Sequence, residues 1–185
     1  MSRVPLRPLH RAGRFFGSIR PGGPRAADLE WVRGVLSEPE HRWFQRMTNP
    51  DRRHSVEVGR AVEARLDEIR VDGAPLDESQ RRATLAAALL HDVGKAQAGL
   101  RTYGRVIATL SGAIGGTEFA EAWQETTGFT RKVGLYLRYP VIGAEILTMA
   151  GSHPWVVAWA AEHHSPPEEW SVPVAVGEVL AAADR

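Results

Sequence analysis

Residues 83–90, ATLAAALL, are apolar or small at every position and run straight into His91-Asp92. The residues before them, ESQRR, are charged, so 78–95 reads as one helix, solvated in its first turn and buried on all sides thereafter. Asp77 or Ser79 is its expected N-cap and Gly94 its expected stop. Burial on every face commits the chain to packed helices, and it also poses a chemical problem. An ionised carboxylate at the end of a buried helix is costly unless it is paired or holds a cation. A helix C-terminus disfavours negative charge as well, so Asp92 needs a positive neighbour. A divalent cation would supply that charge, and so would Lys95 in a metal-free His-Asp-Lys cluster.

The rest of the chain also reads as helices. Residues 26–36 (AADLEWVRGVL) and 39–47 (PEHRWFQRM) are short amphipathic segments, the second opened by Pro39. TNPD breaks the pattern, with Asp51 the expected N-cap of a helix over 52–70. There Ser55, Val58, Val62, Leu66 and Ile69 form a stripe at helical spacing. VDGAPLD (71–77) reads as a turn. Further helix-length segments, each set off by Gly or Pro, cover 102–116, 116–128, 140–151, 154–164 and 172–185. No alternating pattern of strand length occurs, and no internal repeat. The expected fold class is all-α, with roughly six to nine helices.

Length and composition narrow the function classes. At 185 residues and 43% hydrophobic content the chain can bury one good core, so one domain is expected over 28–185. Residues 1–27 carry six arginines, four prolines and no acid. They read as a basic, irregular arm, solvated and partly disordered. The remainder has 17 basic and 22 acidic side chains, a net of −5. A basic arm on an acidic body can meet nucleic acid or anionic surfaces. Arginine outnumbers lysine 21 to two throughout the chain, however, which weakens the arm as a nucleic-acid signal. No P-loop, dinucleotide-binding glycine pattern or nucleic-acid module is present, so nucleic acid is not the expected partner. No apolar run reaches bilayer length and no signal-type apolar core precedes a cleavage site, so a cytoplasmic protein without a membrane partner is expected. The absence of cysteine removes thiolate ligands and nucleophiles, and any metal must be held by nitrogen and oxygen. Six tryptophans fit a helical core and leave a homodimer open without requiring one.

Other metal-competent side chains stand at comparable places. His54 lies in the first turn of the 52–70 segment, beside its apolar stripe. His163 and His164 end a segment rich in Val, Ala and Trp. Consecutive helical residues point about 100° apart, so one structural need rarely explains both. Asp184 closes the apolar run EVLAAADR. Each has an ordinary structural explanation when taken alone. Chance supplies about 0.3 adjacent His-Asp pairs in a chain of this length with seven of each. The set is what discriminates.

The order His54, His91-Asp92 with Gly94 and Lys95, His163-His164, then Asp184 resembles the HD domain, an all-helical superfamily of metal-dependent phosphohydrolases. The resemblance spans about residues 40–185 through DRRHSVEV, ALLHDVGK, PVIGAEIL, EHH and AADR. It implies a compact HD-like helical bundle and four metal ligands: His54, His91, Asp92 and Asp184. Two imidazoles and two carboxylates leave one or two positions of a divalent ion open to water and substrate. Mn²⁺, Fe²⁺, Co²⁺, Ni²⁺, Zn²⁺ and Mg²⁺ all suit such a site. In the implied chemistry the ion polarises a phosphoryl oxygen and activates water, while Asp92 also orients the nucleophile. Lys95 meets phosphate charge or caps its helix. His163 and His164 serve as general acid, phosphate contact or support. Arg52 and Arg53 can grip phosphate with two prongs, and Arg101, with Tyr103 and Arg105, lies on a Gly-flanked loop as a pocket wall. Family members with two metals usually carry a His before the Pro of a segment like RYPVIGAEIL. Here Tyr139 precedes Pro140, and a neutral phenol is a poor ligand, so the resemblance favours one ion, with His153 before Pro154, fourteen residues later, as the alternative source of a ligand for a second.

The expected function is therefore cleavage of a phosphate ester of a nucleotide or other small phosphorylated metabolite by metal-activated water. The other reading is a catalytically weak HD-fold module that binds metal or nucleotide as a sensor or interaction domain.

Overall fold

The segment that is apolar on every side sits in the middle of the fold. The computed structural model describes residues 22–98 and 138–185. The chain runs through α1 (Ala26–Val35), α2 (Glu38–Arg46), α3 (Asn49–Glu63) and a 3-10 turn (Leu66–Glu68). A hairpin follows, β1 (Arg70–Val71) and β2 (Ala74–Pro75), then α4 (Glu78–Leu90) and α5 (Lys95–Ala98). The later part holds α6 (Tyr139–Met149), α7 (Pro154–Glu162), a second 3-10 turn (Pro167–Glu169) and α8 (Val174–Ala183). Every residue of α4 from Ala83 to Leu90 is buried, because α1, α2, α3, α7 and α8 all pack on it. The fold is all-α, and the hairpin is the one sheet among the described residues. No helix among them is long and apolar enough to cross a membrane.

Several boundaries differ from expectation, each for a local reason. The N-cap of α3 is Thr48, not Asp51: its side chain accepts from the Asp51 amide, and Pro50 sits in the first turn, where no amide is needed. The helix expected over 52–70 stops at Glu63. Its stripe survives the break, for Ser55, Val58, Val62, Leu66 and Ile69 are all buried. VDGAPLD is the tip of the hairpin, where Asp72 and Gly73 both take positive φ, 52° and 81°. That pair is what a two-residue hairpin loop demands. Two-residue strands are too short to leave an alternating pattern, so only their turn shows in the sequence. Ser37 and Glu40 form a capping box around the start of α2, and Asp77 and Gln80 do the same for α4. Residues 1–21 of the basic arm, Arg101, and the segments 102–116 and 116–128 lie outside the described residues.

Gly94 matters for a reason other than stopping a helix. α4 ends at Leu90, and the chain continues through tight turns in which the amides of Val93, Lys95 and Ala96 reach the carbonyls of Leu90, Asp92 and Val93. A β-carbon at position 94 would lie 1.9 Å from the Tyr139 carbonyl oxygen and 2.8 Å from the Gly143 nitrogen. Two backbones touch here, and only glycine permits it. The His91-Asp92 turn is thereby set directly against the start of α6.

Gly94→Ala is expected to destabilise the fold by roughly 1–3 kcal/mol, since the obstacle is backbone that cannot swing aside. Gly34→Ala, in α1 with nothing within 4 Å of the added carbon, should instead stabilise by roughly 0.5–1 kcal/mol. Urea unfolding of both variants checks the contrast; equal effects would contradict the close approach at Gly94.

Candidate metal centre

Three helices end at one place. His91 is the C-cap of α4, His163 that of α7 and Asp184 that of α8, while His54 projects from the second turn of α3. Each C-terminus carries the negative end of a helix dipole. The meeting point favours positive charge before any side chain is counted. His54 Nε2 lies 2.8 Å from Asp184 Oδ1, and His91 Nε2 lies 3.6 Å from the same oxygen. One ligand atom from each of His54, His91 and Asp184 falls within 4.8 Å of the others. Donors bound to one ion stand about 3–4 Å apart, so this cluster is near the spacing a cation needs.

The backbone fixes where the imidazole protons sit. His91 Nδ1 is 2.9 Å from the Ala88 carbonyl oxygen, to which it donates, leaving Nε2 as a bare lone pair. That Nε2 is buried and has no hydrogen-bond partner. An orphaned buried acceptor is costly, and a cation suits its position, its lone pair and its charged surroundings. His163 Nδ1 likewise donates to the carbonyl oxygens of Trp159 and Ala160, each at 3.2 Å.

Asp92 stands beside this cluster. Its Oδ2 is 2.5 Å from Lys95 Nζ and 3.5 Å from His91 Nε2, and its Oδ1 is 3.8 Å from His163 Nε2. Burial pushes the Asp92 carboxyl up, but the Lys95 ammonium, then His91 and His163, outweigh burial and hold it well below the usual carboxylate range. Burial also pushes Asp184 up; the His54 hydrogen bond, then the nearness of the His91 and His54 rings, bring it below its ordinary value. Burial, then His91 and His164, push His163 down to about 3. His164 is lowered too, burial again being the largest cause. With two imidazoles, up to two carboxylates and no sulfur, the donor set fits a divalent ion.

The sequence-expected residues divide clearly. His54, His91, Asp92, Asp184, Lys95, His163 and His164 come together. Arg52 bonds the Asn49 side chain, and Arg53 bonds the Gly22 carbonyl, tying α3 to the segment before α1. His153, which stands before Pro154, caps α7 by accepting from the Trp155 amide at 3.2 Å. The residue that sequence reasoning set aside is Tyr139. It is buried, and its hydroxyl lies 2.5 Å from His164 Nε2 and 3.2 Å from His163 Nε2. Its place before Pro140 was the one signal available, and it says nothing of those partners.

The family model described as HD domain matches residues 52–185 of the chain. No curated protein and no solved structure matches it.

His91→Ala should lower the divalent metal content of protein purified without chelator from about one ion per chain toward none, with helical content unchanged. Full retention of metal would remove His91 from the ligand set. A pH dependence follows from His163. Folded, it protonates near 3, against 6.5 ordinarily, so the unfolded chain takes up its proton first as the pH falls. The stability of chelator-treated protein should therefore be greatest above pH ~6.5 and decline toward pH ~3, by on the order of a few kcal/mol. Asp92 and Asp184, lowered in the folded state, steepen the loss on further acidification. Urea unfolding across pH tests this; a slope that His163→Gln leaves untouched would assign it to another group.

Proposed function

The chain belongs to the HD-domain family, and from that premise we propose that it is a cytoplasmic metal-dependent phosphohydrolase acting on a nucleotide or another small phosphorylated metabolite. The observation that carries this reading is the buried Nε2 of His91, without a hydrogen bond and facing two carboxylates where three helices end. His54, His91 and Asp184 would hold the ion, with Asp92 completing the set. A bound divalent cation supplies Lewis acidity toward a phosphoryl oxygen and makes water more acidic.

The chain's own residues account for the rest. Asp92 stays ionised at neutral pH, so it acts as a fixed acceptor that orients an attacking water, and not as a store of protons. Lys95 anchors one Asp92 oxygen and brings to the site a positive charge that a phosphate can share. His163 is uncharged at neutral pH and works as a neutral imidazole. His164 lies at the surface with its Nε2 turned inward, and in this reading it meets the departing oxygen of the ester.

A second reading, a catalytically weak metal- or nucleotide-binding module serving as sensor or interaction domain, is favoured by one observation. Lys95 already pairs with Asp92 at 2.5 Å, which supplies the carboxylate with a cation of the chain's own. Phosphate release from a panel of nucleotides and simple phosphate esters, with Mn²⁺ present, separates the two. Turnover is expected, reduced about 100-fold or more in His91→Ala and in Asp92→Ala. Full activity in either variant sinks the enzyme assignment, and nucleotide binding without turnover in the unaltered protein selects the sensor.

A further inference from the structure

The link from α7 to α8 carries a side chain that touches both helices. Trp170 follows the 3-10 turn Pro167–Glu169. Its Nε1 donates to the Ser165 carbonyl at 3.0 Å. The next residue, Ser171, gives its amide and its hydroxyl to Glu162, the last residue of α7, each at 2.6 Å. The indole is therefore tied back to the end of α7. It also meets Trp159 of that helix edge to face, with 5.3 Å between ring centroids.

The other side of the indole lies on α8. A β-carbon at Gly177 would stand 2.3 Å from Trp170 Cε3 and 2.6 Å from Cζ3, so the six-membered ring rests on the helix backbone itself. Gly177 and Asp184 are about two helical turns apart, on one face of α8. Trp159 and His163 share a face of α7 by the same periodicity. The indole thus joins the face that leads to His163 with the face that leads to Asp184.

α8 packs on α3 and α4 as well, and its buried side chains include Val176, Val179 and Leu180. Apolar packing has no direction, and it leaves a helix free to slide along its axis. A rigid ring seated on bare backbone does not. A methyl at position 177 would force ring or helix to yield by about 1 Å, since ordinary contact begins at 3.4 Å. Ligand distances at a cation tolerate only about 0.2 Å.

We propose that Trp170 is a positioning residue: its indole, pinned to the end of α7 and seated on Gly177, fixes α8 along its axis and so holds Asp184 against His54 and His91. The consequence for a cation rests on the metal-site reading above; the placement of Asp184 does not.

The test is a double-mutant cycle on full-length, chelator-treated protein, read by urea unfolding, with a Co²⁺ titration beside it. Asp184→Ala should raise the unfolding equilibrium constant about fivefold in the otherwise unaltered chain, and about twofold or less in Trp170→Ala. An equal factor in both backgrounds would make Trp170 a packing residue and overturn the proposal. Trp170→Ala should also weaken Co²⁺ binding about 10-fold or more and alter the visible absorption of the bound ion, while Trp170→Phe, which keeps a six-membered ring, recovers most of the affinity. Unchanged Co²⁺ affinity in Trp170→Ala overturns the proposal too. If Trp170→Ala does not fold, Gly177→Ala displaces α8 from the other side and takes its place in both measurements. If the unaltered protein binds no Co²⁺, the metal-site reading fails, and the cycle alone decides the role of Trp170.

Discussion

The carbonyl ends of helices need hydrogen-bond donors, and at the end of α4 and of α7 an imidazole supplies one. His91 gives its Nδ1 proton to Ala88, and His163 gives its own to Trp159 and Ala160. The bond that closes each helix also decides the tautomer, and the tautomer leaves Nε2 as the atom that faces inward. Termination of the helix and preparation of a ligand are one interaction. The centre depends on α4 and α7 stopping where they do.

Charge follows from the same arrangement. Helix ends that meet by their negative poles would repel one another across a low-dielectric interior. Asp92 and Asp184 add two carboxylates to that point, so the helices can remain together only with positive charge among them. Lys95 provides part of it at Asp92, and the imidazoles temper the rest. A divalent ion would answer the remaining imbalance, in place of the direct bond between His54 and Asp184.

Much of this was legible in the sequence because burial leaves a composition. The run from Ala83 to Leu90 could only be the middle of a fold, and each ligand-type residue was visible as a polar interruption at the end of an apolar run. What could not be read depended on contacts distant in the chain. The break after Glu63 leaves the apolar stripe intact, so periodicity passes over it. Gly94 looks like a helix stop until the Tyr139 carbonyl is seen against it. Tyr139 itself looked like an absence, a phenol where a ligand might stand, although its hydroxyl has two partners. The bonds that Arg52 makes to Asn49 and Arg53 to the Gly22 carbonyl were likewise invisible in the sequence.

The pairing of His54 with Asp184 joins residues 130 apart in sequence. In a chain without cysteine, no covalent bond closes that loop, so this contact forms only after the chain has met the entropy cost of bringing its distant ends together. It also gives the centre a direction in time. A chain still emerging from synthesis can form α3 and α4 and bury their apolar faces, but the full ligand set cannot exist until α8 has docked. A fragment truncated ahead of α8 would lack Asp184, and with it one side of the cluster, however well its other helices had formed.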